Sequence, residues 1–243
     1  MAGGSVSISR LPVPSLQEIR VRWGFRKHGP WVTRFTIMGR SFGGELSYDN
    51  DRRVTQFLDA FPDACEILEP GCLEGGMTFQ LARRRGSRVV ALDARRGNLE
   101  RARFVQRILG VENVEFLEAD LEESPLSSFG QFDAIFCSGL LYHLSRPWEF
   151  LDGLRAASPC VFLWTHYAHG DEVRDEASGF QGFWYQEHGF KDPRSGVSPR
   201  SFWMTLPDIV ARLEHNGFGR VQILKDEPEH DPHACVTLAA WAT

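Results

Sequence analysis

Lysine is scarce in this chain. Of 27 basic residues only Lys27, Lys191 and Lys225 are lysines, and the formal net charge is −5. That balance gives no reason to expect a nucleic acid or another polyanion as partner. Cysteine is sparse too, five in all, with no CxxC pair and no Cys/His spacing of the kind that holds zinc. Cys65, Cys137, Cys160 and Cys235 lie in or beside apolar, strand-like runs and Cys72 in a glycine turn, which reads as reduced thiols of a cytoplasmic protein. No run approaches the roughly 18 apolar residues of a membrane span, and the N-terminus lacks the apolar stretch of a signal peptide. Internal repeats, low-complexity segments and the G-x-G-x-x-G fingerprint of dinucleotide sites are also missing. There remain 243 residues of ordinary globular composition, 42% hydrophobic and 24% charged. They suffice for one large α/β domain without disulfides or metals.

Periodicity divides the chain. Residues 1–14 read as a flexible tail, and 15–62 as an N-terminal helical or cap segment. In it, aromatic and basic residues show no clean period before a glycine-rich loop from Gly39 to Gly44. A helix then carries Val54, Phe57 and Leu58 on one face. From 63 to 165 strands and helices alternate. The strands are EIL before Glu69, RVVALD, VEFLEAD, FDAIFCSG and CVFLWTH. Between them the pattern predicts helices over Gly76–Arg85, over Asn98–Leu109 (stripe Leu99, Ala102, Val105, Ile108, Leu109) and after Pro147. Residues 203–243 supply a last helix, with Thr205 as N-cap, and the strands RVQIL and HACVTLAAW. Such alternation requires right-handed crossovers and a parallel sheet covered on both faces. The expectation is a Rossmann-like, doubly wound seven-stranded sheet whose last strand is antiparallel, in a single domain.

In sheets of this kind ligands sit beyond the carboxyl ends of the strands, where strand order reverses. The stretch ILEPGCLEGG ends the first strand there. Gly71 and Gly75 let backbone approach a ligand, and Glu69 ends the strand with a carboxylate. Asp93 follows 18 residues after Gly75 at the tip of the second strand, suited to accept both hydroxyls of a ribose. The spacing E-x-G-x-x-x-G leaves an acid where a pyrophosphate would sit, but it suits a ribose-bearing ligand with a cationic amino-acid end. S-adenosylmethionine has that chemistry.

From Glu66 to Leu154 the chain resembles class I S-adenosylmethionine-dependent methyltransferases, with ILEPGCLEGG, VVALDA, VEFLEADLEE and FDAIFCSGLLYHLSRPWEFL as motifs. The resemblance implies that Glu69, Gly71 and Gly75 line the methionine end of S-adenosylmethionine. It also implies that Asp93 binds the ribose, that Asp120 with Leu121 flanks the adenine, and that Cys137 starts the loop beneath the sulfonium. Leu73 departs from the pattern, standing where the family most often has a glycine. GLLYHLSRP resembles the branch that includes the tRNA uridine carboxymethyltransferases, from which only a role for Tyr142 or His143 at the active site is carried over.

The expected reaction is methyl transfer to an oxygen, in preference to a nitrogen, of a small-molecule acceptor, with a sugar or secondary metabolite in view. His143 is the first candidate base and His166 the second. Alternatives are a tRNA-modifying (carboxy)methyltransferase and a nicotinamide-dependent oxidoreductase on a related fold. The interval 166–202 is too long for an ordinary loop and too aromatic for a linker, so it reads as a cap inserted after the fifth strand. Tyr167 and Trp184 join Tyr142 there as acceptor-binding candidates, and a homodimer contact is the other use for the interval. Its histidines and acids prompt no expectation of a metal. Asp133 reads as structural, Trp148 and Trp164 as packing, and Glu122-Glu123 as a solvated patch.

Overall fold

A computed structural model describes residues 15–243; the tail expected over 1–14 lies outside the described residues. The N-terminal segment is more ordered than its period suggests. Helix α1 (Leu16–His28) starts at Ser15, whose hydroxyl accepts the Glu18 N–H at 3.1 Å. A small sheet follows, of β1 (Thr33–Ile37), β2 (Arg40–Gly43) and β3 (Leu46–Ser47), in the order β2-β1-β3. The expected glycine loop at 39–44 is therefore mostly strand β2. Asp51 caps α2 (Arg52–Ala60), which buries Val54 and Phe57.

The main sheet is built from β4 (Glu66–Pro70), β5 (Arg88–Asp93), β6 (Val114–Glu118), β7 (Ala134–Ser138), β8 (Cys160–His166), β12 (Arg220–Glu227) and β13 (Cys235–Trp241). Its order is β12-β13-β8-β7-β4-β5-β6, with β13 antiparallel to β8. The sheet is the expected seven-stranded one, with its last strand reversed. Side chains alternate between two apolar layers: Leu68, Val90 and Ile135 face one, Ile67, Val89 and Ala134 the other, as the two-residue period of a strand requires. Asp133 accepts the N–H groups of Cys65 and Glu66, both at 2.8 Å, and so pins β7 to β4.

Three helices cover the parallel half. Helix α4 (Arg96–Leu109) ends on left-handed Gly110 (φ 65°); Leu109, expected on its buried stripe, is exposed. Helix α5 (Pro147–Ala157) begins on its proline. The helix expected over 76–85 shrinks to α3 (Thr78–Leu81), because the chain turns early and the Ser87 hydroxyl takes the carbonyls of Leu81 and Arg84.

After β8 the chain forms an antiparallel sheet of β9 (Asp175–Ala177), β10 (Phe180–Gln186) and β11 (Arg200–Met204). Strand β11 runs past residue 202 into the Thr205 cap of α6 (Leu206–His215), where Thr205 accepts the Asp208 N–H. The 187–199 connection between β10 and β11 lies over the carboxyl ends of β4, β5 and β7. Strand order reverses there, between β4 and β7.

Candidate active site

A cavity of about 560 Å³ opens at that reversal. One part is walled by the turn after β4 (Gly71, Cys72, Leu73) and the ends of β5 and β6 (Asp93, Asp120, Leu121). The turn takes its shape from dihedral constraints. Gly71 sits at φ 78° with a notional Cβ 3.2 Å from that of Leu140, while Leu73 adopts φ 52° despite its side chain. Left-handed backbone costs a non-glycine residue roughly 1–2 kcal/mol, so a glycine is the ordinary occupant. Asp93 holds the strained residue, accepting the Leu73 N–H at 3.0 Å on Oδ2 and the N–H groups of Arg95 (2.8 Å) and Asn98 (3.1 Å) on Oδ1. A carboxylate offers about four acceptor positions, so Asp93 retains one, on Oδ2, rather than the pair expected for two ribose hydroxyls. Burial pushes its carboxyl up to about 6 against these hydrogen bonds.

Glu69 lies behind the turn, off the cavity wall. Its Oε2 and the hydroxyl of Thr78 are both buried without a hydrogen-bond partner among the described residues. Burial pushes Glu69 up to about 8, the neighbouring Thr78 hydroxyl opposing and Asp93 adding to the rise.

The other part of the cavity is polar and aromatic. It is lined by Tyr48, Arg53, Tyr142, His143, Trp164 and Tyr185, so Trp164 does more than pack. The Arg53 guanidinium makes a double hydrogen bond to Asp51 (2.9 and 2.6 Å), reaches the Ser138 hydroxyl at 3.2 Å and lies 4.8 Å from the Trp164 ring centre. Burial alone would raise Asp51, but the bonds from Arg53 bring it below its ordinary value. His143, on the short helical turn Leu141–His143 after β7, directs Nδ1 to Glu187 Oε1 at 2.9 Å. Glu187, immediately after β10, is 5% exposed. It also accepts the Gly196 N–H (2.7 Å) and the hydroxyls of Ser201 (2.8 Å) and Ser195. Burial would raise it, yet its bond to His143, that ring's charge and the serine hydroxyls hold it at about 2.

The 187–199 connection is tied down at two further points. Arg95 Nη2 donates to the carbonyls of Gly189 (2.9 Å) and Ser195 (2.6 Å). Glu122 accepts the hydroxyls of Ser145 (2.8 Å) and Ser198 (2.7 Å). Glu122 is therefore a clamp rather than half of a solvated patch; Glu123 does stand exposed.

Of the residues expected at the site, Gly71, Asp93, Asp120, Leu121, Tyr142 and His143 line the cavity, and Glu69, Gly75, Cys137, His166, Tyr167 and Trp184 do not. Strand parity accounts for three of these. Cys137 and Tyr167 point into the main core, where the Tyr167 hydroxyl bonds Asp226 at 2.7 Å, while Ser138 and Trp164, of the opposite parity, reach the cavity side. Trp184 packs on Phe202 beneath Arg200, leaving Tyr185 and Glu187 on the cavity side of the cap. His166 stacks on Trp203 and directs Nδ1 to the Ala234 carbonyl at 3.1 Å; burial lowers its pKa. Gly75 leaves room for the rings of Phe79 and Phe116. Tyr48, Arg53, Arg95, Tyr185 and Glu187 were not anticipated. Only the last two carried a signal, the alternation along FWYQE.

A family model described as a methyltransferase domain matches residues 62–174. The N-terminal domain of EvdMO1, crystallised in the presence of SAH and D-fucose, is 32% identical with a TM-score of 0.84, covering 93% of this chain and 97% of that one. A tRNA U34 carboxymethyltransferase from Sulfurimonas denitrificans is 26% identical over 183 residues, 70% of this chain and 56% of its own. A ubiquinone biosynthesis O-methyltransferase from Acinetobacter baumannii is 28% identical over 82 residues, 34% of each chain. The chain thus spans about half, or less, of the length of the curated relatives it matches.

The chain belongs to the class I S-adenosylmethionine-dependent methyltransferases, and its cofactor is S-adenosylmethionine. The oxidoreductase alternative falls with that membership. The residues present fit the cofactor: an orphaned buried carboxyl at Glu69, a turn open to close approach at Gly71, and a remaining acceptor position on Asp93. No helix among the described residues is long and apolar enough to cross a membrane.

Proposed function

We propose that this protein methylates a hydroxyl oxygen of a neutral, ring-shaped small molecule, of which a sugar is the best candidate. The observation carrying this reading is the pairing of charge around the acceptor half of the cavity. Arg53 is matched by Asp51, Arg194 by Asp192 at 3.6 Å, and His143 faces Glu187. A carboxylated or phosphorylated acceptor would find both arginines of that half, Arg53 and Arg194, already paired. The rings of Tyr48, Tyr142, Trp164 and Tyr185 offer flat apolar faces between polar groups, a combination that suits a sugar. The D-fucose present with the EvdMO1 domain supports the same class.

S-adenosylmethionine supplies, when bound, a methyl carbon activated by an adjacent sulfonium. The protein's tasks are then alignment, which contributes on the order of 7–11 kcal/mol in well-oriented systems, and removal of the hydroxyl proton. His143, on the cavity wall, takes that proton. Asp93 would hold the ribose of the cofactor and Glu69 would support, from behind, the turn at its methionine end, while the 187–199 connection excludes water above them.

The test is transfer from methyl-labelled S-adenosylmethionine to a panel of D-fucose, other neutral sugars, their carboxylated analogues, and tRNA. Label in a neutral sugar, at oxygen, is expected. Label in tRNA alone would replace this reading with that of the carboxymethyltransferase relative. Label confined to carboxylated sugars would show that a cation is free in the cavity after all.

A further inference from the structure

We infer that Glu187 is a positioning residue for His143, delivered by the cap, so that the base exists in working form only when the 187–199 connection is seated. This rests on the reading of His143 as the base. An ionised carboxylate can only accept hydrogen bonds. Glu187 Oε1 lies 2.9 Å from His143 Nδ1, so Nδ1 carries the proton. In the neutral ring Nε2 is then the lone-pair nitrogen, and it makes no hydrogen bond to the described residues. The local sequence around His143 provides no substitute, since this is the only hydrogen bond of the ring, and its partner lies 44 residues away.

The cap is fitted to this contact. A Cβ on Gly196 would lie 2.3 Å from the His143 carbonyl oxygen and 3.1 Å from Glu187 Cδ, so the connection touches the histidine's backbone and its carboxylate together. Oε2 accepts the Gly196 N–H and the Ser195 hydroxyl, and Oε1 accepts the Ser201 hydroxyl besides the ring. Arg95, two residues beyond Asp93, and Glu122, two beyond Asp120, anchor the same connection. Every attachment that seats Glu187 therefore starts from the histidine turn, from the cap itself or from the cofactor end of the sheet.

This bonding pattern makes Glu187→Gln diagnostic. The Gly196 N–H cannot reverse its direction, whereas the serine hydroxyls can rotate. The amide NH2 of glutamine must therefore take the Oε1 place and donate to Nδ1. That forces the proton onto Nε2, the tautomer that cannot accept from a substrate; an equivalent amide substitution behind a triad histidine costs about 10⁴-fold in turnover.

The test is nitrogen NMR of [15N]histidine-labelled protein saturated with S-adenosylhomocysteine, the His143 signals being assigned by their loss in His143→Ala. Wild type should show the Nδ1–H tautomer, and Glu187→Gln the Nε2–H tautomer, with unchanged S-adenosylhomocysteine affinity and turnover lowered about 10²–10⁴-fold. Gly196→Ala, which keeps the carboxylate but unseats the connection, should give averaged tautomers. A His143 ring that keeps Nδ1–H in both variants overturns the inference. Full turnover in His143→Ala overturns the base reading instead, on a different sample and a different measurement.

Discussion

Two carboxylates that line the cavity, Asp93 and Glu187, are held by opposite kinds of chain. Asp93 stands at the tip of a central parallel strand, and its partners are 2, 5 and 20 residues away. Glu187 stands at the end of a cap strand, with partners 8, 9 and 14 residues off and one at 44. The first is pushed up to about 6 by burial, the second held at about 2 by donors. Asp93 is thus wired locally, through the turn and strand it ends, and Glu187 through contacts that cross the cap. On the inference above, the cap completes the chemistry through contacts that can be made and broken as a unit, which is where low-stability elements belong in an enzyme.

The largest expected effect breaks the comparison at its catalytic side. His143→Ala should lower turnover about 10²–10⁴-fold, roughly 3–5 kcal/mol of barrier, while calorimetry finds S-adenosylhomocysteine binding unaltered. Weakened binding would put His143 in the crevice half of the molecule rather than with the cap.

Asp93→Ala should act on binding. Losing a charged acceptor costs roughly 1.5–3 kcal/mol, or about 10- to 150-fold in dissociation constant. Because Asp93 also holds Leu73 and Asn98, the thermal midpoint should fall as well. Unchanged affinity would remove Asp93 from the ribose site.

The acid behind the turn gives a pH signature. Glu69 is pushed up from 4.5 to about 8 in the fold, so the folded state keeps its proton where the unfolded chain has lost it. Its contribution to stability is full below pH 4.5 and drains away as the pH rises toward 8. Glu187, held at about 2, behaves in the opposite sense: its contribution is present above pH 4.5 and lost as the pH falls toward 2. Glu69→Gln should accordingly raise the thermal midpoint by several degrees at about pH 8.5 and little at about pH 5. A gain concentrated at acid pH would mean that Glu69 is charged in the fold.

Smallest of all should be Leu73→Gly. Relief of left-handed strain, roughly 1–2 kcal/mol, is offset by the flexibility of glycine and the loss of a half-buried side chain. Denaturant midpoints should move by less than about 1 kcal/mol. A large loss would show that the leucine side chain, and not only its N–H, shapes the crevice.

The crevice was legible because its physics is local. Alternating apolar runs set the parallel strands, and Gly71, Gly75 and Asp93 fell at the ends where backbone must turn. The cap was visible only as an interval too long and too aromatic to be a loop. Trp184 faces away from the cavity and Tyr185 toward it because of strand parity, and a one-residue shift exchanges the faces. The same parity hid Cys137 and Tyr167 in the core. Nothing in the sequence sets Glu187 opposite His143, because that meeting depends on how two sheets pack. Arg53 was missed for the same reason: it reaches Ser138, 85 residues away, from the start of a helix that looks ordinary.

Arg95 grips the carbonyls of Gly189 and Ser195 while its own N–H rests on Asp93, so the connection roofs the Asp93 end of the crevice, proposed above to hold the ribose of the methyl donor. A nucleoside cannot thread beneath a roof fastened to its own floor. Turnover should therefore follow a compulsory order, the methyl donor entering before the acceptor and the spent nucleoside leaving last. In steady-state kinetics, S-adenosylhomocysteine would then compete with the donor but not with the acceptor, and the rate of roof opening would set how fast the enzyme is ready for its next round.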